Sequence, residues 1–237
     1  MNNTIRNMIT IGAALIAFAT AAEDLNYNAY LSSGVQNNVV RYGVDEGNTA
    51  ANVSAGVAVD GIPYVGTYDL GINVNAPFDN AGYNLGVLST GVKRDIYAGF
   101  TGRFGVEYAA RTGLNDDFNT NFRLAYENFS LIRPYVGYGY DYNRQLHFAE
   151  AALPLQYTFD NVPFVKSLTV NAVAGYNYYQ SDATGSYQTV KFGGGLEIPV
   201  WGPLNVFAQG TYYRAIENAN VAFHNDWVGL AGFNLKF

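Results

Sequence analysis

The chain contains no cysteine and only two histidines, two methionines and two tryptophans in 237 residues. Without cysteine there is no disulfide scaffold and no thiolate metal centre, though export is still compatible with this composition. Charged residues are scarce at 14%, and 13 basic against 19 acidic side chains leave a net charge of -6. That balance excludes the basic footprint of a nucleic-acid-binding surface. Beyond residue 21, no apolar run approaches the roughly 20 residues that a membrane-spanning helix requires. No linker or low-complexity stretch divides the remaining residues, so a single domain is expected over 22–237.

What is abundant is aromatic. Tyr contributes 20 residues and Phe 15, and hydrophobic residues reach 49% while the mean hydropathy is only -0.04. A near-neutral average with so much apolar material fits strands whose two faces differ, because a lipid face and a polar inner face cancel in the mean. Tyr suits a bilayer edge, where its ring is apolar and its hydroxyl stays wet.

Both ends of the chain carry an address. Arg6 precedes an apolar stretch from Met8 to Ala19, and Ala19-Thr20-Ala21 supplies small residues for cleavage. A signal peptide over 1–21 is expected, cleaved after Ala21 or Ala22. At the other end Trp227, Gly229, Ala231, Phe233, Leu235 and Phe237 alternate with a more polar set, and the chain stops on the aromatic. Phe233, Leu235 and Phe237 resemble the assembly signal of bacterial outer-membrane barrels. The two ends imply export and closure into a membrane barrel in the bacterial outer membrane.

The same alternation recurs along the chain. One face of a strand reads Leu168, Val170, Ala172, Ala174, Tyr176 and Tyr178, the other Thr169, Asn171, Val173, Gly175, Asn177 and Tyr179. Tyr64, Tyr68, Leu70 and Ile72 likewise oppose Thr67, Asp69 and Asn73. Twelve strands are expected near 29–44, 50–60, 63–75, 90–101, 105–113, 119–129, 132–142, 146–159, 167–180, 187–200, 203–215 and 226–237. The weak pattern between Val74 and Val92 leaves ten as an alternative count. The expected fold is an all-β, antiparallel up-and-down transmembrane barrel. Periplasmic turns are expected at Asp60-Gly61, Thr101-Gly102, Ser130, Asp160-Asn161 and Gly202-Pro203, with short polar loops at the opposite end.

Asn38-Val39-Val40-Arg41-Tyr42-Gly43-Val44, the Asp45-Glu46-Gly47 turn and Lys93-Arg94-Asp95-Ile96-Tyr97-Ala98-Gly99-Phe100 resemble the opening hairpin and fourth strand of the Gcw_chp family. Those are uncharacterised proteobacterial proteins, presumed to be exported barrels. The resemblance covers roughly the first half, departs from the family at Tyr42, and implies a fold without implying an activity.

Charges fall on the face opposite the large apolar residues. Asp69, Asp95, Glu107, Arg111, Arg123, Glu127, Arg133, Asp141, Glu150, Lys191 and Glu197 are therefore expected to line one interior. Barrels of about eight strands are filled by side chains, and ~16 leave an aqueous channel. With both signs mixed, a narrow, partly occluded lumen is expected. His147 and His224, with Glu150, Asp226 and Ser181 or Ser186, are the only material for a rim catalytic site, and no spacing enforces one. No metal site or cofactor is expected, and Asp116-Asp117 reads as a solvated loop tip. Gly193-Gly194-Gly195 lies within a strand pattern and is read as curvature rather than a phosphate loop. These features point to a passive small-solute channel or structural surface protein, not an enzyme. Its partners are outer-membrane lipid, the barrel assembly machinery and small polar solutes; the alternative is binding or adhesion through the outer loops.

Overall fold

The structure is a computed structural model that describes residues 26–41, 44–47, 49–78, 83–163, 165–181, 185–217 and 226–237. The expected signal peptide lies outside the described residues. Among the described residues fourteen strands succeed one another: β1 (Tyr27–Gln36), β2 (Val39–Arg41), β3 (Val44–Gly47), β4 (Ala50–Ile62), β5 (Gly66–Pro77), β6 (Leu85–Tyr97) and β7 (Phe100–Arg111), then β8 (Asp117–Tyr126), β9 (Tyr135–Asp141), β10 (Leu146–Asp160), β11 (Ser167–Ser181), β12 (Gly185–Trp201), β13 (Leu204–Glu217) and β14 (Asp226–Lys236). Twelve of them close an antiparallel barrel by pairing with their sequence neighbours, while β2 and β3 form a separate two-stranded ribbon. Closure leaves the barrel strands no free edge, so their backbone polar groups find partners within the wall.

The seam that closes the barrel joins the first strand to the last, with Tyr30 opposite Lys236 and Gly34 opposite Gly232. A Cβ on either glycine would run into the partner's backbone, so the close approach of β1 and β14 there depends on both residues. Phe237 is stitched into this seam: its N–H donates to Ala29 O at 2.9 Å and its carbonyl oxygen accepts from Ala29 N–H at 3.1 Å.

Which face points inward is settled by contacts that reach over an intervening strand. Asp69 on β5 meets Arg103 on β7, Glu150 on β10 meets Lys191 on β12, and Glu197 on β12 meets Lys236 on β14. Side chains converge only on the concave side of a closed sheet, so these pairs mark the interior. The period of two then assigns every residue of each strand. The opposite face carries exposed Phe104, Phe122, Val136, Leu153, Phe192, Leu196 and Phe233.

Rings gather at both ends of this outer face. Phe100, Tyr126 and Phe129 pack in series, tilted and edge-on, at one end, with Tyr157 and Phe159 alongside, while Phe118, Tyr140 and Tyr142 and the pair Tyr212–Trp227 occupy the other. On β10 the bands are marked by Tyr157 and by His147, which packs against Tyr140. Ten residues of strand span about 33 Å, or about 25 Å at the ~40° tilt of membrane barrels. That is the height of an apolar band with aromatic girdles.

The end where β1 begins and β14 ends is termed the turn end, and the opposite one the loop end. The twelve-strand count is observed, and the poorly patterned stretch contains β6, which excludes ten. Local boundaries differ in several places, among them the start of β6 at Leu85 instead of near residue 90. The expected strand over 29–44 ends at Gln36 and continues as the β2–β3 ribbon. The expected Thr101-Gly102 turn lies inside β7; the turn is Ala98-Gly99, with φ of 49° and 87°, the left-handed pair a tight hairpin requires. The Asp60-Gly61 turn shifts to the residues after Ile62, so that Tyr64, expected on the outer face, sits in the turn at φ 65°.

Candidate functional site

Strand register places eight of the eleven expected charges at inward positions within the barrel. Asp69, Glu107, Arg111, Arg123, Asp141, Glu150, Lys191 and Glu197 occupy inward positions of β5, β7 to β10 and β12. Asp95, opposite Thr101, is exposed at the turn-end rim, and Glu127 succeeds β8 at the same end. Arg133 precedes β9, donates its backbone N–H to Pro154 O, and lines a cavity of about 320 Å³ with Gln156, Asn171 and Thr211.

From mid-barrel to the turn end these charges are paired and partly wet. Arg103 grips Asp69 with two nitrogens at 2.6 and 3.0 Å, and Lys191 reaches Glu150 at 2.7 Å. Glu150 also accepts from Tyr135 Oη, and the Arg123 guanidinium lies 3.5 Å over the Tyr135 ring. Lys236 meets Glu197 at 2.5 Å, and Lys93 meets Glu127 at 2.7 Å. Burial by itself raises the Glu127 carboxyl. The Lys93 hydrogen bond and charge, the Thr101 hydroxyl and Arg133 outweigh that and hold it below the ordinary value.

Two apolar clusters pack at the loop end. Val39, Ala50, Leu85 and Ala109 pack with Tyr83 and Val87 against one wall. Leu146, Tyr179 and Tyr187 pack with Phe148 and Tyr213 against the other, the Tyr179 and Tyr187 rings stacked at 4.6 Å. Between them Arg111 Nη1 lies 2.5 Å from Asp117 Oδ2, and Arg144 Nε lies 3.1 Å from the same oxygen. Arg144 comes from the β9–β10 turn, whose Asn143 and Arg144 N–H groups cap Asp141 Oδ1 and whose Arg144 carbonyl accepts from Ser181. The turn is thereby tied to the flanking strands β8 and β11 by charge and hydrogen bonds.

Asp117 therefore corrects the expectation of a solvated loop tip: it is 3% exposed and shared by two arginines, while Asp116 accepts from Tyr108 Oη. Sequence reasoning misses Lys93, Arg103, Arg144 and Lys236 as interior partners. The inward parity of Lys93 and Arg103 is an available signal, but nothing local announces Arg144. It also passes over the amides Gln36, Asn52 and Asn75, and gives Asn73 a face but no partner.

The rim catalytic constellation does not assemble among the described residues. His147 faces outward, where its Nδ1 pairs with Tyr138 Oη at 2.6 Å, whereas Ser181 and Glu150 face inward. His224 lies outside the described residues. Among those described, no cluster of three metal-ligating side chains occurs.

No protein-family model matches this chain, so the Gcw_chp resemblance gains no support from that comparison, and no curated protein matches it. Solved structures do match. The KdgM porin, in complex with disordered oligogalacturonate, aligns with a TM-score of 0.54 at 9% identity over 90% of this chain and 99% of its own. The NanC porin aligns with a TM-score of 0.54 at 10% identity over 88% of this chain and 100% of its own. The β domain of the Bordetella autotransporter BrkA aligns with a TM-score of 0.49 at 15% identity, covering 90% and 99%. At such identities the two porins speak for architecture, and on that ground the chain has the closed antiparallel barrel fold of outer-membrane porins.

Proposed function

We propose that this protein is a passive channel of the bacterial outer membrane, with the loop end outward and a lumen that is narrow and held closed at that end. The observation that carries the reading is the Arg111–Asp117–Arg144 cluster between two apolar clusters at one mouth, above a wetter, ion-paired interior. An apolar outer wall with two aromatic girdles supports the membrane setting. Mixed, mutually paired charge argues against strong selection for ions of one sign, because each pair cancels most of its own field. The placement of Phe237 in the closing seam supports its role as an assembly signal.

Planar-bilayer recording tests this reading. Wild type should show small or intermittent conductance, and Arg144→Ala, which releases the loop tie, should raise the open fraction severalfold. Large, steady wild-type conductance would make the protein an open porin. Silence in both proteins would overturn the channel reading and leave a structural role.

A further inference from the structure

The wall formed by β1, β4 and β5 toward the loop end differs from the rest of the lumen. Its inward residues from Ser32, Ser54 and Asn73 outward are uncharged. Gln36 Nε2 and Asn52 Nδ2 both donate to Asn75 Oδ1, at 2.9 and 2.7 Å, and Asn75 Nδ2 donates to Asn73 Oδ1 at 2.7 Å. The Ser32 and Ser54 hydroxyls pair at 2.8 Å. Those bonds orient the amides and leave Asn73 Nδ2, Gln36 Oε1 and Asn52 Oδ1 for another partner. The wall borders a cavity of about 420 Å³, within the ~300–1,000 Å³ range of small-molecule sites.

Tyr30 forms the floor. Its ring lies against Gly56, where a Cβ would stand only 2.6 Å from Tyr30 Cε1. The glycine therefore lets the ring lie on the wall instead of crossing the lumen. Although inward, Tyr30 is 43% exposed, and it borders two further cavities toward the turn end.

We propose that this wall binds a neutral, polyhydroxylated solute of mono- to disaccharide size, a proposal that names the solute of the proposed channel and rests on that reading. A sugar hydroxyl both donates and accepts, and oriented amides offer both functions. The carbon face of a pyranose is apolar and suits an aromatic surface such as Tyr30. A small ion would give up hydration at this wall, which returns no charge apart from Glu107 at the far side.

Calorimetric titration of the folded full chain in amine-oxide micelles tests the site, with maltose, glycine and gluconate as probes. Maltose should bind saturably at one site, with glycine and gluconate at least tenfold weaker. Tyr30→Ala and Asn75→Leu should each weaken maltose binding at least tenfold. Tyr30 stands in open lumen space, so its truncation decides the matter should the Asn75 variant fail to fold. No saturable maltose binding, equal binding of gluconate, or an unchanged Tyr30→Ala variant would overturn the proposal. A protein that binds maltose but never conducts keeps this site and loses the channel. One that conducts but binds no maltose loses this site alone.

Discussion

Arg111 and Asp117 form a buried ion pair at the loop-end mouth, with side chains 2% and 4% exposed and 2.5 Å between Nη1 and Oδ2. Such a pair is costly to break from one side, because the surviving charge stays out of water. Asp117→Ala should therefore destabilise the barrel by about 3–5 kcal/mol, the usual loss when one partner is removed. Replacing both, as Arg111→Met with Asp117→Leu, should recover most of it, since Arg144 is a quarter exposed and can turn to solvent. Denaturant unfolding from lipid vesicles would compare the three proteins. A double variant as unstable as Asp117→Ala would refute this role for the cluster.

Neighbours in β11 test the face assignment. Asn171 borders an interior cavity with Glu197, and Ala172 is exposed on the outer wall. Ala172 pairs with Leu155, two residues inside the Tyr157 band, so Ala172→Arg places a guanidinium in hydrocarbon between midplane and interface and should cost about 1–2 kcal/mol. Asn171→Arg can reach water or Glu197 and should cost much less. Ala172→Leu controls for size and should be tolerated. Equal losses for the two arginine variants in vesicle unfolding would mean that the inner and outer faces are misassigned.

Glu127 predicts an acid-side dependence. Its carboxyl titrates below the ordinary value in the folded protein, so its contribution is present above the unfolded value near ~4.3 and is lost as pH falls through the lowered folded value. Wild type should lose stability across that window, and Glu127→Gln should lose less there. Parallel pH profiles for the two proteins in unfolding experiments would rule out the Lys93–Glu127 contribution.

The strand count and the division into faces are legible in the chain because both depend on a period of two, which each strand carries within itself. Leu168 to Tyr179 can be sorted without knowing any neighbour. The turn at Ala98-Gly99 is harder: the choice between it and Thr101-Gly102 rests on backbone dihedrals that either dipeptide can suggest. The residues of the β2–β3 ribbon continue the alternation of the first strand, so pattern alone does not separate them from it.

Alternation states which side a residue faces and is silent on its height in the barrel. Height depends on the stagger at which twelve strands close, a property of the whole sheet. That stagger decided that Arg103 meets Asp69 across 34 residues of sequence, and that Arg144 meets Asp117 at the mouth. It also turned Asp117 from an acidic loop residue into a buried clasp and gathered Gln36, Asn52 and Asn75 into one amide wall. The chain alone determined a two-faced barrel wall, because alternation is local. Which interior groups meet, and which end of the lumen they close, was decided only when the first strand paired with the last.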